Sequence, residues 1–336
     1  MAPKLFLTGT TGYIGGTVLD TLVAKHPEYE ITALLRNVPS NFTSRYPKVN
    51  IVKGDYDSAE VISDAASKAN VVVHSGNSDH EPSIKALIAG LLKRDSTSFL
   101  IHLGGTGVVA DWQQPDYLGR VNPKVWSDIE NIDEIISLPD KALHRNVDKI
   151  ILDAGAQNSD KVKTAIICPP DIYGPGRGPA RTNSVYFPAF FEEIKKLGTS
   201  FYPAEGTNTR SWVHIEDLMT LYVKLIEAAI DGGGNANWGK EGYYFASSQE
   251  ASQLDIAKAT GRVLHKHGLI SSSEPQQLPL DQVDGMVSSW GIPHIATYMF
   301  AANSRTRADR AKAVLSYEPR APSLWDSLEA DLLACK

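Results

Sequence analysis

The sequence predicts an α/β protein built on a doubly wound parallel sheet, with a smaller mixed α/β lobe facing substrate. Three observations carry this. Short apolar runs alternate with helix-length segments of about ten residues through the first half of the chain, the pattern that right-handed crossovers between parallel strands produce. A glycine-rich stretch at 9–16 separates the first apolar run from the first helix. The run ANVVVH at 69–74 is apolar continuously, as a strand covered on both faces requires.

Residues 4–8 (KLFLT) read as the first strand, and 17–25 as a helix with Val18, Leu19, Leu22 and Val23 at helical spacing. Residues 30–36 (EITALLR), 49–52 (VNIV), 69–74 and 98–103 (SFLIHL) supply the next four strands, with helices at 59–67 and 84–94. The segment 110–139 holds Trp112, Pro115, Tyr117, Pro123 and Trp126 with weak periodicity; it reads as a long excursion above the sheet that walls a pocket. A helix at 142–157 and a sixth strand at 162–168 (VKTAIIC) follow, and then PPDIYGPG at 169–176 breaks regular structure. Helices at 186–197 and 217–229, a strand at 242–246, a helix at 251–267 and a terminal helix from near Ser323 complete the chain.

Composition narrows the class. The chain has 336 residues, 33 Lys and Arg against 39 Asp and Glu, and a net charge of −6. A nucleic-acid partner would need a concentrated basic footprint, so none is expected. No apolar run of 18 residues is present to span a bilayer. Two cysteines, Cys168 and Cys335, make no disulfide scaffold, and the first residues lead directly into a strand with no room for a signal peptide. These features predict a cytoplasmic protein, a monomer or homodimer, with a small-molecule partner and no membrane association.

Gly9-x-x-Gly12-x-x-Gly15 follows a strand and opens a helix, the context in which such a triplet binds a dinucleotide. The first glycine permits the turn, the second lets backbone approach a pyrophosphate, and the third lets helix and sheet pack closely. Residues 1–170 are therefore expected to form a dinucleotide-binding Rossmann domain, and 171–336 mainly a substrate lobe, with later segments free to return to the first. Thr11, Tyr13 and Ile14 share the loop. At the end of the second strand, where a carboxylate would accept from an NAD ribose, the chain has Arg36. A guanidinium can pair with a 2′-phosphate, so NADP(H) is expected over NAD(H). Asp55 and neighbouring Tyr56 are placed at the adenine end, although Asp55 equally suits a helix cap. His74, Ser75 and Gly76 end the fourth strand, where small residues can pass along the cofactor.

The motifs TGTTGYIGG (8–16), GDYD (54–57), LGGTGVV (103–109), PPDIYGPG (169–176) and RSWVHIEDL (210–218) together resemble the extended short-chain dehydrogenase/reductase family, which includes NAD(P)-dependent epimerases and dehydratases. The resemblance spans most of the chain. It implies that Pro170, Ile172 and Tyr173 border the nicotinamide. It also implies that Arg210 lies near the lobe junction, either on an anionic substrate group or bracing the fold through a salt bridge.

In that family a Tyr-x-x-x-Lys pair and a Ser or Thr handle the substrate oxygen. Here the corresponding helix reads ALHRNVDKIILDAG, with His144 near the Tyr position, Asp148 near the Lys position and no tyrosine. Lys149 is one residue away, about 100° around a helix, and does not inherit the lysine role. Thr106 is the remaining hydroxyl after the fifth strand. Three readings compete. His144 serves as the acid, oriented by Asp148 at i,i+4; or a tyrosine elsewhere, Tyr117 or Tyr173, reaches the carbonyl; or the chemistry is lost and the chain is an NADP(H)-binding sensor or interaction protein. The leading expectation is an NADP(H)-dependent oxidoreductase acting on a carbonyl or alcohol of an aromatic or aliphatic metabolite, with an epimerase or dehydratase as the alternative.

Trp112 and Tyr186 are candidate substrate contacts. Phe187, Phe190 and Phe191, beside Tyr186, suit the core of the smaller lobe better than a substrate wall. His265 and His267 lack partners at ligand spacing, so no metal is expected. Cys168 reads as an inert core thiol.

Overall fold

The computed structural model describes residues 2–336. Its main elements, in chain order, are β1 (Lys4–Thr8), α1 (Tyr13–Lys25), β2 (Glu30–Leu35), β3 (Asn50–Lys53), α2 (Ala59–Ser67), β4 (Val71–His74), α3 (Glu81–Leu92), β5 (Ser98–Leu103), α4 (Arg145–Gln157) and β6 (Val162–Cys168). Then come β7 (Asp171–Tyr173), α5 (Tyr186–Leu197), β8 (Thr209–His214), α6 (Ile215–Ile230), β9 (Tyr243–Phe245), β10 (Gln249–Ser252), α7 (Gln253–Lys266) and α8 (Leu324–Leu333). Seven strands form one parallel sheet in the order β9-β6-β5-β4-β1-β2-β3.

Side chains of a strand point alternately to opposite faces, and both faces of this sheet are covered. Leu5, Leu7, Val71, Val73 and Ile101 pack on one side against Val18, Leu19 and Leu22 of α1 and Leu218, Leu221 and Leu225 of α6. Phe6, Val72, Leu100 and Ile166 pack on the other against Ile62 of α2, Leu87 and Leu91 of α3 and Ile151 of α4. That is why the strand sequences are apolar throughout. The sheet is doubly wound, a Rossmann arrangement.

β8 pairs in parallel with β7 and antiparallel with β10 to make the small mixed sheet of the second lobe. Its core is aromatic: Tyr186, Phe187 and Phe190 of α5 meet Phe201, Trp212 and Phe300. Tyr186 meets Trp212 edge-on with ring centroids 4.9 Å apart, a favoured geometry for aromatic pairs. The chain crosses into this lobe after β6 and comes back, since α6 and β9 pack with the first sheet.

The expected helix at 142–157 starts only at Arg145, because His144 takes a left-handed φ of +66° and stands outside it as the cap residue. α3 starts earlier than expected, at Glu81, because Pro82 is accommodated in the first turn, where no intrahelical N–H is required.

Candidate active site

β1 ends where Gly9 turns to φ +75°, and a Cβ there would collide with the Ser75 carbonyl after β4. A Cβ at Gly15 would collide with the Gly9 carbonyl. Only glycine allows this backbone-on-backbone packing. α1 then opens on Gly12 with no side-chain cap and no acidic residue in its first turn. Its unpaired N–H groups and positive dipole end suit an anion, so the loop fits a pyrophosphate.

Two cavities meet over this loop, with Gly9, Thr11 and Tyr56 lining both. The smaller, about 360 Å³, also takes in Arg36 and Asp55. Arg36 is exposed, and among the described residues its guanidinium has no hydrogen-bond or ion-pair partner. The next three residues are Asn37, Val38 and Pro39, none of them acidic. Asp55 Oδ1 accepts from Ser58 Oγ at 2.8 Å and from the Asp57 N–H at 3.1 Å. These bonds hold its carboxyl below the usual range, so its observed contacts are those of a turn before α2.

The larger cavity, about 510 Å³, is lined by Gly12, Tyr13, Ile14, Ser75, Gly76, Pro170 and Ile172 among others. Two residues expected beside the cofactor are turned elsewhere. His74 is buried beneath the strand end, with Nδ1 2.6 Å from Thr8 Oγ1 and its ring stacked on His102 at 5.3 Å. Burial pushes its pKa down to about 4, keeping it neutral. Tyr173 is also buried; its hydroxyl donates to the Pro322 carbonyl and accepts from Gln249 Nε2. That hydroxyl, named in the second reading, is thus engaged on both sides by protein groups.

Tyr186 lines the larger cavity while its hydroxyl donates to Gln253 Oε1 at 2.6 Å. Arg210 is buried, ion-paired to Asp171, and donates through Nη1 to the Tyr298 carbonyl at 2.9 Å. Its position is the bracing alternative, since a buried charge requires a partner. Asp217, which sequence placed at a helix N-terminus, accepts from the N–H groups of Arg320 and Ala321.

None of the expected catalytic residues Thr106, Tyr117, His144 and Asp148 is among those that line the larger cavity. Thr106 is buried with its hydroxyl accepting from Ser304 Oγ at 3.0 Å. Tyr117 sits on the short turn Pro115–Tyr117 and is not among the residues lining the cleft. Trp112 lines a separate cavity of about 260 Å³ with Gly107, Trp126 and Leu143. Lys149 pairs with Asp140.

The partnership between His144 and Asp148 needs correction. The left-handed turn at His144 takes it out of helical register, and its Nδ1 donates to Asp79 Oδ1 at 2.9 Å. Burial disfavours the imidazolium, but the hydrogen bond and charge of Asp79, with the charge of Asp148, outweigh this and raise the pKa above the ordinary histidine value. Asp148 is buried and accepts instead from the Tyr243 hydroxyl at 2.9 Å; burial, against the opposing charge of His144, pushes its carboxyl up to about 6.

One cleft residue carries no sequence signal. Tyr298, on the π-helical turn Thr297–Ala301, lines the larger cavity with Leu103, Pro170 and Ile172. Nothing in TYMFA marks it, and it lies 141 residues beyond the end of the helix on which the tyrosine is sought.

A family model described as NAD(P)H-binding matches residues 9–159, and one described as the NAD dependent epimerase/dehydratase family matches residues 142–239. The oxidase ucsJ of Acremonium sp. is 31% identical over 341 residues, covering 98% of this chain and 96% of its own. Among solved structures, dTDP-glucose 4,6-dehydratase of Bacillus anthracis in complex with NAD aligns with a TM-score of 0.65 at 15% identity, covering 99% of this chain and 96% of that one. UDP-glucose 4-epimerase of Thermotoga maritima aligns with a TM-score of 0.66 at 15% identity, covering 98% and 97%. At that identity the two structures speak to the fold.

Proposed function

The chain belongs to the extended short-chain dehydrogenases/reductases, the NAD(P)-binding epimerase/dehydratase-like family, and from that premise we propose an NADP(H)-dependent oxidoreductase acting on the carbonyl or alcohol of a small organic metabolite. The observation that carries the cofactor choice is Arg36: an unpaired guanidinium on the rim of the smaller cavity, with no carboxylate in the three residues that follow. A 2′-phosphate there gains an ion pair with bidentate hydrogen bonds, whereas a ribose hydroxyl has no charge to pair. The Gly9–Gly15 loop and the open end of α1 hold the pyrophosphate, and Pro170 and Ile172 flank the nicotinamide, which supplies or accepts a hydride when bound. Leu103, Val185, Tyr186, Trp290, Ile295 and Met299 give the larger cavity mainly apolar walls, which supports an aromatic or aliphatic substrate over a nucleotide sugar.

The engagement of the Thr106 hydroxyl by Ser304 and the missing Tyr-x-x-x-Lys pair favour a second reading, an NADP(H)-binding sensor. Turnover of NADPH with a panel of aldehydes and ketones separates the two. The cofactor test is a titration with NADPH and NADH repeated on Arg36→Ala. A hydrogen bond to a charged group contributes about 1.5–3 kcal/mol, so the Kd for NADPH is expected to rise about tenfold or more while that for NADH stays in place. An equal loss for both cofactors overturns the 2′-phosphate assignment.

A further inference from the structure

The backbone after β5 runs Gly104-Gly105-Thr106-Gly107, and two side chains converge on the glycines. A Cβ at Gly107 would lie 2.9 Å from Tyr298 Oη and 3.4 Å from His144 Nε2, and one at Gly105 would lie 3.0 Å from the same nitrogen. The absent side chains leave the room in which the phenol and the imidazole sit. They arrive from opposite lobes, one on the π-helical turn and the other on the residue ahead of α4.

Among the described residues, the hydroxyls of Tyr13, Tyr173, Tyr186 and Tyr243 are each hydrogen-bonded within the protein. The Tyr298 hydroxyl instead has the Arg210 guanidinium as its neighbour, a group that can only donate, so its own proton is uncommitted, and its side chain lines the larger cavity. Its ring is held firmly: the Arg210 guanidinium lies 4.8 Å from the ring centroid, donates to the Tyr298 carbonyl and is itself fixed by Asp171. A phenol on a fixed, cavity-lining ring whose proton no protein acceptor takes is available to a ligand oxygen.

We propose that Tyr298 is the proton donor to the substrate oxygen and that His144, held by Asp79, returns the proton to it. The proposal rests on the oxidoreductase reading above. As the carbonyl carbon accepts hydride from a reduced nicotinamide, the π electron pair moves to oxygen, which takes the proton of Tyr298 Oη. The phenolate left behind takes a proton from Nε2 of the His144 imidazolium, leaving a neutral imidazole whose Nδ1–H still donates to Asp79. Carbonyl, hydride and one proton give the alcohol, and solvent later restores the imidazolium. Burial, partly offset by the charge of Arg210, holds the phenol above its ordinary value, so at neutral pH it carries the proton it has to give.

The test compares wild type, Tyr298→Phe and Tyr117→Phe, each loaded with NADPH and assayed on the carbonyl panel. Tyr298→Phe is expected to lower kcat by roughly 10²- to 10⁴-fold, with the Kd for NADPH and the melting temperature unchanged, while Tyr117→Phe keeps its rate. A readout independent of turnover is the NMR titration of His144 in the cofactor-free protein, its resonance assigned with His144→Gln. Removing the Tyr298 hydroxyl is expected to move the His144 midpoint, and a superposable curve overturns the proposal. An active wild type with full kcat in Tyr298→Phe overturns this assignment alone. A wild type that binds NADPH and reduces no carbonyl overturns the oxidoreductase reading and this assignment with it.

Discussion

At His144 the backbone turns left-handed one residue before α4 begins, a conformation that side chains with a Cβ rarely adopt. Had the helix run from residue 142, the imidazole would have stacked over Asp148; instead it reaches across to Asp79. Residue type and spacing were legible at this position, but one backbone angle was not, and that angle chose the partner. Thr106 and Tyr173 show a related limit, since their hydroxyls are taken by Ser304, Pro322 and Gln249 from distant parts of the chain. Arg36 could be placed because its site depends only on where a strand ends. The charges around His144 give a pH prediction. Asp79 and Asp148 raise its pKa against the opposing effect of burial, while nearby His102 is held neutral by its own burial and Tyr298 converges on the same glycine as a neutral phenol. Reduction needs the imidazolium, so kcat is expected to fall as pH rises through the raised His144 value. Asp79→Asn removes the main group favouring the cation, so the falling limb moves to lower pH. A kcat–pH profile unchanged by Asp79→Asn would sink the role of that pair.

At the scale of elements, the glycine loop is held by a strap that the sequence marked only as irregular. Residues 174–182 cross the start of α1, where Tyr13 Oη donates to the Gly174 carbonyl at 2.6 Å and the Arg181 N–H donates to the Thr11 carbonyl at 3.1 Å. Arg177 is paired with Asp20 and Glu216, and Arg45 ties Asp20 to the carbonyls of Arg177 and Gly178. β5, β6 and α5 could be bounded from sequence because each has a continuous apolar or amphipathic pattern that ends abruptly. The strap is fixed by long-range polar contacts and leaves no periodic trace. Its closest approach is glycine on glycine: a Cβ at Gly178 would lie 2.8 Å from Gly16 Cα. Gly178→Ala is therefore expected to lift the strap, costing about 1–3 kcal/mol of stability as other overpacked contacts do, and to weaken NADPH and NADH by the same factor. Thermal unfolding and parallel titrations check this. A selective loss of NADPH alone would contradict it, since Gly178 itself lies against Gly16 and Gly12 of the loop.

For the whole molecule, the order of the chain couples the two lobes. β7, α5 and β8 leave the first lobe after β6, and α6 and β9 bring the chain back to the sheet before β10 and α7 depart again. The first lobe is therefore incomplete until the second has been traversed, because β9 is an edge of its sheet. The cleft repeats this dependence in three dimensions: Gly9, Gly12 and Ser75 come from one lobe, while Ile172, Tyr186 and Tyr298 come from the other. A ligand bound there contacts both and stabilises them together. NADPH at about 100 times its Kd adds about 2.7 kcal/mol to the folded state. If the lobes unfold as one unit, calorimetry shows a single transition that moves upward as a whole when NADPH is added. Two transitions of which only one responds would mean that β9 can leave the sheet without unfolding it, and that the lobes are coupled by the ligand rather than by the path of the chain.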